Sequence, residues 1–112
     1  MNEFEIRLEK LEYHMQLLLK IANKQKYPFD FLVVQNGLSR NEVDEIMSLC
    51  TELEQKHKEQ KAQGLLYYTD ILTLFVGQLN EKLEVNETID AMLNQGLFID
   101  LMKDFKRLLS HL

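Results

Sequence analysis

Near the start of the chain, Phe4, Leu8, Leu11, Met15, Leu18 and Ala22 recur at alternating steps of four and three. This is the 3.5-residue repeat of a helical seam, held for about three heptads, and it predicts a first helix. Leu17, Leu19 and Ile21 widen the apolar surface toward the C-terminal end. Glu3, Glu5, Glu9 and Glu12 crowd the first half, and Lys20, Lys24 and Lys26 crowd the end. That polarity complements the helix macrodipole, by about 0.3–1 kcal/mol per exposed charge. Such a seam can face its own core or a copy of itself. The reading adopted is a homo-oligomer, dimer to tetramer, with this helix intertwined with its copies and those six residues as the interface. Leucine at both core positions leaves the stoichiometry open.

The breakers downstream are Pro28, Asn36-Gly37, Gly64, Gly77 and Gly96, and the stretches between them keep helical period. Pro28 suits a first helical position, so a short second helix runs from about Pro28 to Gln35 and ends at Asn36-Gly37. Ser39-Arg40-Asn41-Glu42 fits a capping box and opens a third helix. Its apolar face is Val43, Ile46, Met47, Cys50 and Leu53, and beyond Leu53 the pattern turns polar, as if that end entered solvent or crossed a subunit boundary. From Leu65 to Leu79 nearly every turn is apolar on several sides, which predicts a central, covered helix, although Thr69 or Asp70 offers a cap inside the stretch. Asn80 to Glu84 reads as a connection. A fifth helix spans about Val85 to Asn94, and a last one, about 97 to 110, aligns Phe98, Leu101, Met102, Phe105, Leu108 and Leu109.

An all-β chain of 112 residues would need a turn every ~8–12 residues, and four glycines and one proline do not supply them. The expectation is a single all-α domain, residues 1–112, built as a multihelical bundle of five or six helices. The net charge of -5 argues against general affinity for nucleic acid or anionic membranes. One cysteine excludes an intrachain disulfide framework and any Cys-rich zinc site. Glu3 and Glu5 stand where a secretory signal needs positive charge. Apolar runs such as Phe31-Leu32-Val33-Val34 fall far short of the ~20 residues of a spanning helix. A soluble, cytoplasmic protein is expected.

Two segments, Tyr27 to Gln55 and Leu83 to Phe105, stand out together. They carry the Asn36-Gly37-Leu38-Ser39 turn with Glu42-Val43, and Glu87-Thr88-Ile89 with Gln95-Gly96. Both resemble the YhaI-like family, small proteins of Bacillus and its relatives, over roughly Leu8 to the C-terminus. The resemblance implies a multihelical fold and self-association. It implies no activity and brings no catalytic residues.

Several constellations invite a chemical reading. Residues 28–53 have the spacing of a helix-turn-helix. Yet the early residues of the would-be reading helix, Arg40, Asn41, Glu42, Asp44 and Glu45, carry one cation against three anions, which phosphates repel. A plain helical hairpin is the better account. Lys20-Lys24-Lys26, Lys56-Lys58-Lys61 and Lys103-Lys106-Arg107 lie near helix C-termini, where the dipole explains them, and no aromatics interleave them as a stacking platform requires. Glu54 and His57 make an E-x-x-H pair of the kind that di-iron bundles use. Its polar setting between Lys56 and Lys58 reads as solvated surface. His14 and His111 read as core-edge or interface packing. Cys50, on the apolar stripe, reads as a small hydrophobe. Of the adjacent Tyr67 and Tyr68, one is expected at a subunit interface. With no nucleophile elbow, phosphate loop or dinucleotide fingerprint, the reading is a non-enzymatic, self-associating interaction or regulatory protein without cofactor or metal. Its alternative is a nucleic-acid-binding regulator using segment 28–53 or the lysine clusters.

Overall fold

Local cap chemistry sets most helix boundaries. In the computed structural model, which describes residues 1–111, the order is α1 (Glu3–Ile21), α2 (Pro28–Gln35), α3 (Arg40–Ala62), α4 (Thr69–Gln78), α5 (Val85–Gln95) and α6 (Ile99–Leu109). No strand occurs among the described residues. Asn2 caps α1, its side-chain oxygen accepting the Glu5 N–H at 2.8 Å. The capping box of α3 is formed in full: Ser39 Oγ accepts the Glu42 N–H at 3.2 Å, and Glu42 Oε1 accepts the Ser39 N–H at 3.0 Å. Glu84 caps α5 by accepting the Asn86 and Glu87 N–H groups at 3.0 and 2.7 Å. Gly96 closes α5 at φ 82°, a left-handed conformation that glycine adopts without steric cost.

Helix α2 is capped from a distance. Tyr27 offers no side-chain cap; instead Gln95 Oε1, at the end of α5, accepts the Phe29 and Asp30 N–H groups at 2.8 and 3.0 Å. This fastens α2 to α5 and seats Phe29 in the core. The rest of the core comes from α3 to α6. Ile46, Cys50 and Leu53 meet Ile71 and Phe75 of α4, Ile89 and Met92 of α5, and Leu101, Met102 and Phe105 of α6. The Phe75 and Phe105 rings lie 5.2 Å apart. The principal packings are α5 on α6, α2 on α5, α3 on α4 and α3 on α6.

The structure corrects the expected central helix from Leu65 to Leu79. Gly64, at φ 79°, ends α3 and turns the chain out. Leu65, Leu66 and Tyr67 then cross the surface exposed before α4 starts at Thr69. Only Tyr68 and one face of α4 (Ile71, Leu72, Phe75) are buried. A ten-residue helix packed chiefly on α3 has one covered side, so Val76 stays exposed.

Helix α1 joins none of these packings, and none of its 19 residues is buried. At 1.5 Å per residue it is about 28 Å long, which accounts for the extents of 62 × 24 × 22 Å. The radius of gyration is 17.2 Å, against about 13 Å for a compact chain of similar length.

Candidate functional site

The seam residues of α1 stand in the open. Phe4 is 84% exposed and Leu11 64%, with Leu8, Met15 and Leu18 between them. Ile6, Tyr13, Leu17 and Ile21 add to the exposed apolar surface, and Leu19 alone is half-buried. Ala22, the sixth seam position, is the C-cap with extended backbone, so the helical seam ends at Ile21. A continuous apolar stripe on a helix that touches no core is the kind of surface that marks an interaction site.

A second feature lies between α3 and α6. His57 was expected on solvated surface with Glu54; it is instead 1% exposed. Its Nε2 lies 2.7 Å from Asp104 Oδ2, and its ring meets Tyr68 edge-on at 4.6 Å between centroids. Asp104 also accepts from Arg107 at 3.0 Å and lies 3.9 Å from Lys61 Nζ. Burial pushes the Asp104 carboxyl up, but the hydrogen bonds from His57 and Arg107 outweigh it and hold the group below the ordinary carboxylate range. An ionised carboxylate only accepts, so the shared proton sits on His57 Nε2. The pair clasps the end of α3 to α6. Glu54 turns instead to Lys58, at 3.5 Å, so the E-x-x-H members do not share a site. Among the described residues no three His, Cys, Asp or Glu side chains are grouped to hold a metal ion.

A family model described as a protein of unknown function, DUF1878, matches residues 1–110. The chain belongs to that family. The match spans all six helices of this DUF1878 protein, the unpacked α1 included.

The remaining candidates in the DUF1878 chain fall into place around the same packing. Helices α2 and α3 do not pair as a helix-turn-helix does: α2 lies on α5, while α3 lies on α4 and α6. Asn41, Asp44 and Glu45 are exposed on α3, and Glu42 is engaged by Asn80 at 2.8 Å and Lys82 at 2.9 Å. Five of the clustered cations face acids: Lys56 with Glu52, Lys58 with Glu54, Lys61 and Arg107 with Asp104, Lys106 with Asp90. Lys24 lies 4.5 Å over the Phe31 ring. That contact rims an open cleft of about 350 Å³ between α2 and α5, floored by Pro28, Phe31, Leu32 and Ala91. Glu87 and Asp90 sit at its edge, the latter already paired with Lys106 at 3.0 Å.

Cys50 is fully buried, and burial, then the nearby Glu54 charge, push its thiol up to about 12. It packs as a small hydrophobe, as its place on the stripe predicts. His14 and His111 are both exposed, not at a core edge, because α1 has no core to border and His111 lies beyond the last helix. Tyr68 points inward and Tyr67, 82% exposed, points out. No helix among the described residues is long and apolar enough to cross a membrane.

Proposed function

We propose that this chain is a non-enzymatic, self-associating interaction protein, and that the apolar face of α1 is its assembly surface. One observation carries the reading: a 19-residue helix displays Phe4, Leu8, Leu11, Met15 and Leu18 on one stripe, and no residue of it is buried within its own chain. Covering one such side chain is worth roughly 1.5–3 kcal/mol, so pairing the stripe with copies recovers several kcal/mol per chain. The heptad period supports a homo-oligomer of two to four chains wound along this seam, and the YhaI-like resemblance implies self-association. A lone free thiol suits a reducing compartment, and we place the protein in the cytoplasm.

Native mass spectrometry tests the proposal. The protein should run as an integer multiple of 13.3 kDa, and Leu8→Ala/Leu11→Ala/Leu18→Ala should reduce it to a single chain. Because these residues make no core contact, the variant should keep the cooperative unfolding of α2–α6. A wild-type protein that stays monomeric at high micromolar concentration overturns the reading.

A further inference from the structure

We infer that two copies of α1 meet in parallel and in register, aligned by an Arg7 to Glu12 pair across the seam. The inference rests on the self-association proposed above and concerns its geometry. The steps of the repeat place Leu8 and Met15 at position a, and Phe4, Leu11 and Leu18 at position d. The flanking e positions then hold Glu5, Glu12 and Leu19, and the g positions hold Arg7, His14 and Ile21. These flanks set orientation in a helical pair.

In a parallel pair, each g residue faces the e residue five positions on in the other helix. Arg7 then meets Glu12 of the partner subunit, and His14 meets Leu19 of the partner subunit. Two-fold symmetry gives the Arg7 pair twice. In an antiparallel pair with the seam fully overlapped, like flanks face each other. Glu12 would oppose Glu12 of the partner subunit, Arg7 would oppose Ile21 of the partner subunit, and no attractive flanking pair would form. Arg7 and Glu12 are exposed, and neither makes an ion pair with another described residue, so both are available.

The drift from acids to lysines along α1 pulls the other way, since it would favour antiparallel copies. Its charges, however, include Glu3, Glu9 and Lys20 at outer positions c, b and f, about a helix diameter from their counterparts. At physiological salt the screening length is about 8 Å, so adjacent flanking charges outweigh them. Parallel helices put both cores at one end, and each chain measures 24 × 22 Å across its long axis. The six-residue connection from Ala22 to Tyr27 is folded as a turn in which Asn23 O accepts the Lys26 and Tyr27 N–H groups; opened, it reaches up to ~20 Å, enough to carry each core off the axis.

Leu8→Cys and Leu18→Cys, made separately, decide the orientation. The buried Cys50 does not compete for the oxidant. Parallel, in-register copies bring each new cysteine against its own equivalent, within the Cα reach of a disulfide. Each variant alone should therefore shift under mild oxidation from 13.3 kDa to twice that mass on a non-reducing gel. Links that form only when the two variants are mixed would mean antiparallel copies and overturn the inference. So would an oligomer that links in neither experiment. A single chain by native mass would instead overturn the self-association reading itself. As a second readout, Arg7→Glu should weaken assembly on the order of tenfold, replacing two attractions by two repulsions. Arg7→Glu/Glu12→Arg should restore it; no rescue counts against the pair.

Discussion

Replacing His57 by alanine is the sharpest test of how α3 is anchored. The imidazole is 2% exposed at its side chain and Asp104 is 18% exposed. A hydrogen bond to an ionised partner is worth about 1.5–3 kcal/mol, and the edge-on contact with Tyr68 adds roughly 0.5–1.5 kcal/mol. Breaking a fully buried ion pair costs about 3–5 kcal/mol, because the surviving charge is stranded. Asp104 is not stranded: it keeps Arg107 at 3.0 Å, has Lys61 at 3.9 Å and stays partly wet. The expected loss is therefore about 2–3 kcal/mol. Urea unfolding at pH 7, followed by circular dichroism at fixed chain concentration, should show the midpoint falling by roughly 1–2 M with an unchanged slope. His57→Phe should recover the ring packing but not the hydrogen bond, and so fall between. A loss below about 0.5 kcal/mol for the alanine variant is what a surface residue gives. That result would return the end of α3 to solvent and refute the clasp.

Acid should also weaken the fold through Glu42. The Ser39 N–H, then Lys82 and Asn80, lower its carboxyl from 4.5 to about 2. Because the folded value lies below the unfolded one, its stabilisation is complete above pH 4.5 and drains away as pH falls from there to about 2. Glu42→Gln should be less stable at pH 7 and show a shallower stability loss between pH 5 and 2 in an acid titration; an unchanged slope would mean the carboxylate is not held. The Cys50 thiol, at about 12, should react negligibly with a thiol-disulfide reagent at pH 8 while folded, and fully in denaturant. Rapid modification of the native protein would contradict its burial.

What was legible in the sequence is what is decided within a few residues. Pro28 before an apolar turn, the Ser39 to Glu42 box and Gly96 after the α5 stripe each carry their own stop or start: α2 and α3 begin, and α5 ends, where those signals stand. The His57 clasp was not legible. Its partner Asp104 is 47 positions away, while the adjacent Lys56 and Lys58 point to other faces of the helix and make the neighbourhood look solvated. Gln95 capping α2 from 66 positions away is hidden for the same reason. Leu65 to Tyr67 misled in the opposite sense: apolar composition suggested cover, but the chain direction after Gly64 withholds it. The stripe on α1 was plain from its spacing. That its own core does not cover it was settled only by where the chain goes after Ile21.

The separation of α1 from the core also divides the molecule thermodynamically. Helices α2–α6 share one set of buried side chains and should melt as a unit, whereas α1, with no buried residue, should add nothing to that cooperativity. Most helical stability in proteins comes from packing an amphipathic face rather than from propensity, so the helicity of α1 should depend on the copies proposed to cover it. With the self-association proposed above, a dilute solution should melt in two stages, the first dependent on chain concentration and the second not, so that a single Tm would not describe it. Amide hydrogen exchange would read the same division residue by residue: protection along α1 should rise with concentration, while protection at Leu53, Met92 and Phe105 should stay fixed by the core.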